Sequence, residues 1–207
     1  ILNELKENMH GNVKLMFQPA EESEGGAEPM IKEGILKNPD VAAAFGLHLA
    51  GDLPEGLVEV VYGPMTASPD EFTKLEAGGA VLNVIPQEAI VGGSLRTMHK
   101  DVREKAITMI EATIKSLCDL YGATYEIAYL PYFPPLVNDK KMTDIALAAT
   151  RKIVGTDRVI IAEEGGMGAE DFAFLTEALP ASYYHVGIQK DGCPPAIHHH
   201  PEFAWDD

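Results

Sequence analysis

One short stretch constrains the fold more than any other part of the chain: residues 11–22, Gly-Asn-Val-Lys-Leu-Met-Phe-Gln-Pro-Ala-Glu-Glu. Its apolar residues first alternate with polar ones and then become consecutive up to Phe17. This pattern predicts a buried strand that ends at Gln18-Pro19. Two adjacent acids, Glu21 and Glu22, follow at once. Because neighbouring carboxylates repel each other and burial raises that cost, such a pair at the end of a strand is either solvated or shares a cation.

The charge of the chain limits its partners. Its 207 residues include 16 basic and 32 acidic ones, for a formal charge of -16. A field of this sign repels nucleic-acid phosphates and anionic lipid and attracts divalent cations, so we expect neither a nucleic-acid nor a membrane partner. No apolar stretch is long enough to cross a bilayer, no signal peptide opens the sequence, and two distant cysteines give no disulfide framework. These features favour a cytoplasmic location.

The hydrophobic pattern predicts an α/β fold with a smaller unit inserted in it. Residues 41–49 are nearly all apolar, which predicts a strand covered on both faces. Between residues 89 and 132 a strand, a long amphipathic helix closed by Gly122 and a second strand follow one another, which suggests a small α+β unit. A proline-rich stretch through Pro135 then leads back to the first domain, which continues as helix, strand, glycine-rich turn and strand.

His48 lies near the end of the predicted strand 41–49. A lone histidine there is more often a packed, hydrogen-bonded residue than a ligand. In α/β sheets, however, binding sites gather beyond the carboxyl ends of strands, and Glu21, Glu22 and His48 all occupy such positions. Three consecutive histidines, residues 198–200, are either a purification-tag remnant or genuine ligands, and the Pro-Glu-Phe-Ala-Trp that follows them is unlike a terminal tag.

Six short motifs, each weak alone, together cover essentially the whole chain. They are Gln18-Pro19-Ala20-Glu21-Glu22, Gly46-Leu47-His48, Asn83-Val84-Ile85-Pro86, Leu95-Arg96-Thr97, Met167-Gly168-Ala169-Glu170-Asp171-Phe172 and His199-His200-Pro201-Glu202-Phe203. In this order they resemble the M20 metallopeptidases. The resemblance is to the amidohydrolase branch, which includes hippurate hydrolases, auxin-conjugate hydrolases and N-acetyl-diaminopimelate deacetylases.

The resemblance implies a metallopeptidase-type catalytic domain, with a mixed sheet flanked by helices, and a smaller α+β lid that mediates homodimerisation. On this basis residues 1–73 form the first part of the catalytic domain, 74–137 a truncated lid, and 138–207 the second part of the catalytic domain. The lid is short because the strand, Gly-Gly-His loop and helix that the family has after Phe72-Thr73 are missing here.

The resemblance also implies the reaction and its residues. Two divalent metal ions per subunit, zinc or manganese, would activate water for hydrolysis of the amide bond of a small N-acyl amino acid. The matching positions are Glu21 for the general base, Glu22, His48 and His199 for metal ligands, and Asn83 and Arg96 for the substrate carboxylate. The alternatives are a dipeptidase or aminopeptidase of the same superfamily, or an inactive metal-binding or dimerising fragment.

One family segment with further metal ligands, of the type Cys-Gly-His-Asp-x-His, does not occur in the sequence. The three matching ligands are enough for one metal ion at most. The sequence is therefore either part of a fuller enzyme or a truncated product that lacks catalysis. We favour the fuller enzyme, because loss of the first half of a doubly covered sheet would expose apolar strands and strand edges.

Overall fold

The computed structural model describes residues 4, 6–23, 25–72 and 88–192. The helices and strands in chain order are α1 (Ala27–Lys32), β1 (Ala44–Pro54), β2 (Val58–Val61), β3 (Gly63–Thr66), β4 (Ser68–Phe72), β5 (Ser94–Thr97), α2 (Lys100–Tyr121), β6 (Tyr129–Pro131), β7 (Leu136–Asn138), α3 (Lys140–Val154), β8 (Val159–Ala162), α4 (Ala173–Ala178) and β9 (Ala181–Gln189). Two short 3-10 turns, Lys6–Asn8 and Thr156–Arg158, complete the set.

The largest sheet has the strand order β1-β9-β2-β8 and mixes parallel and antiparallel pairs. β1 runs parallel to β9, β2 runs parallel to β8, and β2 and β9 are antiparallel. Helices α3 and α4 both contact β9. The predicted α/β class, a mixed sheet flanked by helices, is therefore confirmed.

A three-stranded antiparallel sheet with the order β5-β4-β6 lies outside this main sheet, and α2 contacts its β5 edge. This matches the α+β unit that the sequence predicts between residues 89 and 132. β4 precedes that range, because residues 68–72 supply the central strand of the small sheet. The division into the ranges 1–73, 74–137 and 138–207 stays a prediction.

The core lies between the main sheet and α4. Its buried side chains are Val61, Met65, Leu136, Phe172, Ala173, Leu175, Ala181 and Tyr183. The buried Asn138 ties three strands together here, since its amide donates to the carbonyls of Val61 and Tyr183 at 2.9 Å each and its oxygen accepts from the Tyr183 N–H at 2.7 Å. A buried amide with all of these bonds satisfied fixes the register of the strands beside it.

The strand predicted to end at Gln18 is the clearest difference from the sequence expectation. Residues 12–17 form no hydrogen-bonded strand, although their exposure alternates, and Phe17 is 83% exposed. The sequence also predicts that the strand within residues 41–49 is covered on both faces. This is wrong for β1, since Phe45 and Leu47 are about half exposed. Both stretches have an apolar side with no cover among the described residues.

Across the residues that the structure describes, no helix combines the length and the apolar character that crossing a bilayer requires. The longest helix, α2, carries charged residues along its whole length and has no buried side chain.

Candidate metal-dependent hydrolytic site

A tight loop carries the two acids that the sequence singles out. Ala20 adopts a left-handed conformation with φ of 58°, and its carbonyl accepts hydrogen bonds from the N–H groups of Ser23 at 3.2 Å and Gly25 at 2.8 Å. An alanine in this region is uncommon and carries strain, which is typical of functional loops. The turn places Glu21 half-buried and Glu22 exposed, side by side at its tip.

Two glycines let the loop return tightly to α1. A Cβ on Gly26 would lie 1.9 Å from the Pro19 carbonyl oxygen, so no other residue fits there without moving the backbone. Gly25 has a φ of +80°, and a Cβ on it would lie 2.8 Å from the ring of Phe133. The pair Gly25-Gly26 is therefore required for the geometry of the loop that bears Glu21 and Glu22.

Asp171 lies beneath this loop and is fully buried. Its Oδ2 accepts from the N–H of Gly26 at 2.7 Å and of Ala27 at 3.0 Å, and its Oδ1 accepts from the side-chain amide of Gln18. The first two bonds satisfy N–H groups at the start of α1, which otherwise have no intrahelical partner. A buried carboxylate with three donors is well compensated.

Glu170, the neighbour of Asp171, is also buried. Its Oε2 accepts from the Tyr183 hydroxyl at 2.5 Å and its Oε1 from the Phe172 N–H at 3.1 Å. Burial raises the pKa of Glu170, although the bonds from Tyr183 and Phe172 oppose this shift. Burial beside Glu170 likewise raises the pKa of Tyr183, so the phenol stays a donor.

Carboxylate oxygens of Glu21, Glu170 and Asp171 all lie within 4.8 Å of one another. Burial, followed by the charges of Glu170, Glu22 and Asp171, raises the pKa of Glu21 from 4.5 to about 7, and His48 acts in the opposite direction. The crowded negative charge is what a divalent cation would relieve. Asp171 already uses both oxygens within the protein, so Glu21 is the member of this group best placed to face a ligand.

His48 lies in the middle of β1 and not at its end, where the sequence places it. It pairs in register with His185 of β9, with ring centroids 6.4 Å apart. Its Nδ1 lies 2.7 Å from the Leu49 carbonyl oxygen, a hydrogen bond that puts the ring proton on Nδ1. In a neutral imidazole Nε2 is then the acceptor, the tautomer that binds metal ions.

Arg96, the predicted substrate contact, lies in β5 and reaches the same region. Its guanidinium donates to the Met167 carbonyl at 2.8 Å, three residues before Glu170. His48 lies close enough to Glu21 and Glu170 to lower the pKa of both, and Arg96 is connected to the turn that carries Glu170. Among the described residues, Glu22 and His48 do not belong to the group of acids that lie within 4.8 Å of one another, so their roles as ligands stay predictions. Asn83 and His199 lie outside the described residues, so their predicted roles stay predictions.

Sequence reasoning gave no role to Glu170 or Asp171, although both stand in one of the six motifs. Two adjacent acids before a short helix repeat the pattern of Glu21 and Glu22, and this repetition could have drawn attention to them. Tyr183 and Gln18 had no such pattern, because their contacts cross 13 and 153 residues of sequence.

Comparison with protein families decides the relationship. The model of peptidase family M20/M25/M40 matches residues 1–207. The chain belongs to this family.

Curated relatives within peptidase family M20/M25/M40 include thermostable carboxypeptidase 1 of Saccharolobus solfataricus, 27% identical over 91% of this chain and 60% of the relative. N-acetylcysteine deacetylase of Bacillus subtilis is 27% identical over 100% of this chain and 65% of its own length. The chain thus spans about three fifths of these relatives. The alignment with the deacetylase is 256 positions long, whereas this chain has 207 residues. Within the aligned region, about 49 residues of the deacetylase therefore have no equivalent in this chain.

Among solved structures of the M20 family, the YXEP protein of Bacillus subtilis is described as a dinuclear metal-binding peptidase. It superposes with a TM-score of 0.85 at 29% identity, over 99% of this chain and 63% of the YXEP chain. This agreement confirms the metallopeptidase-type fold that the six motifs imply. The truncated lid stays a prediction, since the difference in length from the deacetylase has no assigned place in the chain.

Proposed function

We propose that this chain forms part of a metal-dependent amidohydrolase that cleaves the amide bond of small N-acyl amino acids. The observation that carries the proposal is the convergence of Glu21, Glu170 and Asp171, whose carboxylate oxygens lie within 4.8 Å of one another. His48 is close enough to lower the pKa of Glu21. Membership of the M20 family, and relatives that include an N-acetylcysteine deacetylase, support amide hydrolysis.

The donor set of the site suits a divalent cation. Carboxylate and imidazole ligands are those that zinc and manganese accept, and the tautomer of His48 presents Nε2 as the acceptor. We assign Glu22, His48 and His199 as the residues that would hold the cation, with Glu21 beside it as the base. When bound, divalent ions lower the pKa of a water molecule and polarise a carbonyl.

Glu21 moves the proton in the proposed reaction. As a carboxylate, it removes a proton from the attacking water, whose oxygen forms a bond to the amide carbon. It then gives this proton to the amide nitrogen as the C–N bond breaks, so that the products are a carboxylic acid and an amine. Without a metal ion, burial and the neighbouring acids raise the pKa of Glu21 to about 7, and a bound cation would lower it again, so that Glu21 is the carboxylate that the first step needs.

Arg96 and Glu170 have supporting parts in this proposal. Arg96 would bind the substrate carboxylate through its guanidinium, which pairs with carboxylates in a planar fork. Glu170 is held by Tyr183 and adds negative charge next to Glu21, which favours the protonated form of the base after it has acted. Neither residue takes part in bond making.

A carboxypeptidase activity is the second candidate, because two thermostable carboxypeptidases of Saccharolobus solfataricus are among the relatives. The same base would serve it, since a peptide bond is an amide. A carboxylate site at Arg96 would also serve both, so the acyl side of the substrate distinguishes the two activities. Homodimerisation through the lid and a cytoplasmic location remain predictions beside either activity.

The test is hydrolysis by the purified full-length protein that contains this chain, with Mn²⁺ or Zn²⁺, using N-acetyl and N-benzoyl amino acids, N-blocked peptides and free dipeptides. We expect turnover of the N-acyl amino acids, and we expect Glu21→Gln to lower it by orders of magnitude while metal affinity stays nearly unchanged. Higher turnover of peptides would favour the carboxypeptidase. Metal binding without any turnover by the full-length protein, or full activity in its Glu21→Gln variant, would contradict the proposal.

A further inference from the structure

The loop that carries Glu21 and Glu22 has its two ends held by one side chain. We propose that Asp171 is a positioning residue, which sets the place of Glu21 and Glu22 by accepting hydrogen bonds from both ends of their loop. The roles of Glu21 and Glu22 in this inference rest on the proposed function. The hydrogen bonds to Asp171 that hold the loop, which we call the clamp, do not depend on that function.

Three donors define the clamp. Gln18, before the two acids, donates its side-chain amide to Oδ1, and Gly26 and Ala27, after them, donate their N–H groups to Oδ2 at 2.7 and 3.0 Å. The loop between these anchors therefore closes on a single buried carboxylate. The turn at Ala20, whose carbonyl accepts from the Ser23 and Gly25 N–H groups, adds a second connection within the loop.

Asp171 is itself held firmly. Its carbonyl accepts from the Phe174 N–H at 3.0 Å in the first turn of α4, and Ala173 donates to the Glu170 carbonyl at 3.2 Å. The preceding glycine turn is fixed to β3, since Gly166 donates to the Met65 carbonyl at 2.8 Å. One rigid turn thus presents Asp171 to the loop and Glu170 to Glu21, so the clamp sets the spacing of the carboxylates.

The same contacts argue against Asp171 as a metal ligand. Both of its oxygens accept hydrogen bonds from within the protein, and it is 0% exposed. A displacement of about 1 Å at a catalytic group costs roughly 100-fold in rate. A residue that only positions the loop can therefore have a large effect on turnover without touching a substrate.

The experiment replaces the donor of one hydrogen bond to Asp171, the Gln18 side-chain amide, by an acceptor in the full chain. Gln18→Glu places a second carboxylate against Asp171, and we expect 10- to 100-fold lower kcat, little change in KM, and faster hydrogen exchange at the amides of Gly26 and Ala27. Adding Asp171→Asn should restore all three, because Asn Nδ2 donates to the new glutamate while Asn Oδ1 still accepts from both N–H groups. Asp171→Asn alone should be mild, since the Gln18 amide can rotate to match it.

Asp70→Asn is the matched control, because Asp70 is an equally buried acid that lies in β4. It should lower stability without changing exchange at Gly26 and Ala27. The clamp is refuted if Gln18→Glu leaves that exchange unchanged, or if the double variant fails to restore it. Hydrogen exchange needs no turnover, so a full-length wild-type protein inactive on every substrate would overturn the proposed function and leave the clamp to be decided by exchange.

Discussion

Glu21 is the residue whose properties depend most on its neighbours. Burial and three nearby acids raise its pKa from 4.5 to about 7. The folded chain therefore binds this proton more tightly than the unfolded chain does, and the free energy of unfolding falls as the pH rises from about 4.5 through about 7. The group that would act as the base thus destabilises the metal-free protein at neutral pH.

Replacement of Glu21 by Gln should remove this pH-dependent cost. We expect Glu21→Gln to be more stable than the metal-free wild type at pH 8, by about 1 kcal/mol after allowance for solvent screening, and no more stable at pH 4. Thermal unfolding with a chelator present measures the difference at both pH values. Glu126→Gln, at an exposed position, is the control, and an equal gain at both pH values would contradict the explanation.

Arg96 gives a second prediction at the scale of one residue. Its guanidinium is exposed and already oriented by the Met167 carbonyl at 2.8 Å. We expect Arg96→Ala to raise KM for N-acyl amino acids by about 10- to 100-fold with a smaller effect on kcat, because a charge-assisted hydrogen bond contributes about 1.5–3 kcal/mol. Steady-state kinetics on a matched pair of substrates, one with and one without the carboxylate, provides the measurement. An equal loss on both would exclude a carboxylate contact.

At the scale of elements, a buried ion pair joins helix α2 to β4. Asp70 in β4 is 0% exposed and accepts from Arg103 of α2 through two bonds, one of them 2.6 Å from Nε to Oδ2. This pairing raises the pKa of Arg103. The bidentate contact ties α2 to the central strand of the small sheet, beside the half-buried apolar side chains of the helix.

Breaking this pair should release α2. We expect Asp70→Ala to destabilise the chain by about 3 kcal/mol, since it leaves the Arg103 guanidinium partly buried without its partner. The double variant Asp70→Ala/Arg103→Met should cost less than Asp70→Ala alone. Urea unfolding of the three proteins gives the coupling between the two sites. Additive losses would show that the pair does not hold the helix.

α2 also shows what the sequence could predict about the fold. Its 22 residues have an apolar period of 3.6 and end at Gly122, which adopts a φ of 67° as a helix-ending glycine does. These are local properties, so a single sequence reveals them. The strand expected through Phe17 failed because a strand exists only with a hydrogen-bonded neighbour, and the pattern of residues 12–17 cannot supply one.

In the candidate site, too, some features can be predicted from local sequence and others depend on contacts between distant residues. Glu21, Glu22 and His48 stand at the ends of predicted strands, and the resemblance of their motifs to the M20 family implies their roles, which stay predictions. The donors to Asp171 and Glu170 were not predicted, because Gln18 lies 153 residues from Asp171 and a tyrosine in an apolar strand is usually a core residue. Hydrogen bonds that join distant segments form only when the chain folds, so neither segment has a sequence pattern from which they could be predicted.

At the scale of the whole molecule, charge and apolar exposure act in opposite directions. The formal charge of -16 opposes self-association. The exposed apolar side chains of residues 12–17 and of β1 favour it, and Phe17 is the most exposed of them. The chain spans about three fifths of these relatives, and no described residue covers this surface.

The excess of acids also makes the stability of the whole chain sensitive to divalent cations. A cation that binds only the folded state adds RT ln(1 + [L]/Kd), about 2.7 kcal/mol at a hundredfold excess over Kd, or roughly 5–10 °C in Tm for a chain of this size. We expect Mn²⁺ to produce such a shift in the wild type and Glu22→Gln to lose most of it, whereas Glu126→Gln should keep it.

Ionic strength must be separated from site binding in this measurement. Sodium chloride at the same ionic strength screens the repulsion among the 32 acids without occupying a site, so its shift in Tm is the baseline for every variant. The part of the Mn²⁺ shift above this baseline belongs to bound cation. If Glu22→Gln retains that part in full, Glu22 is not a ligand, and the negative charge at the tip of the loop serves only to raise the pKa of Glu21.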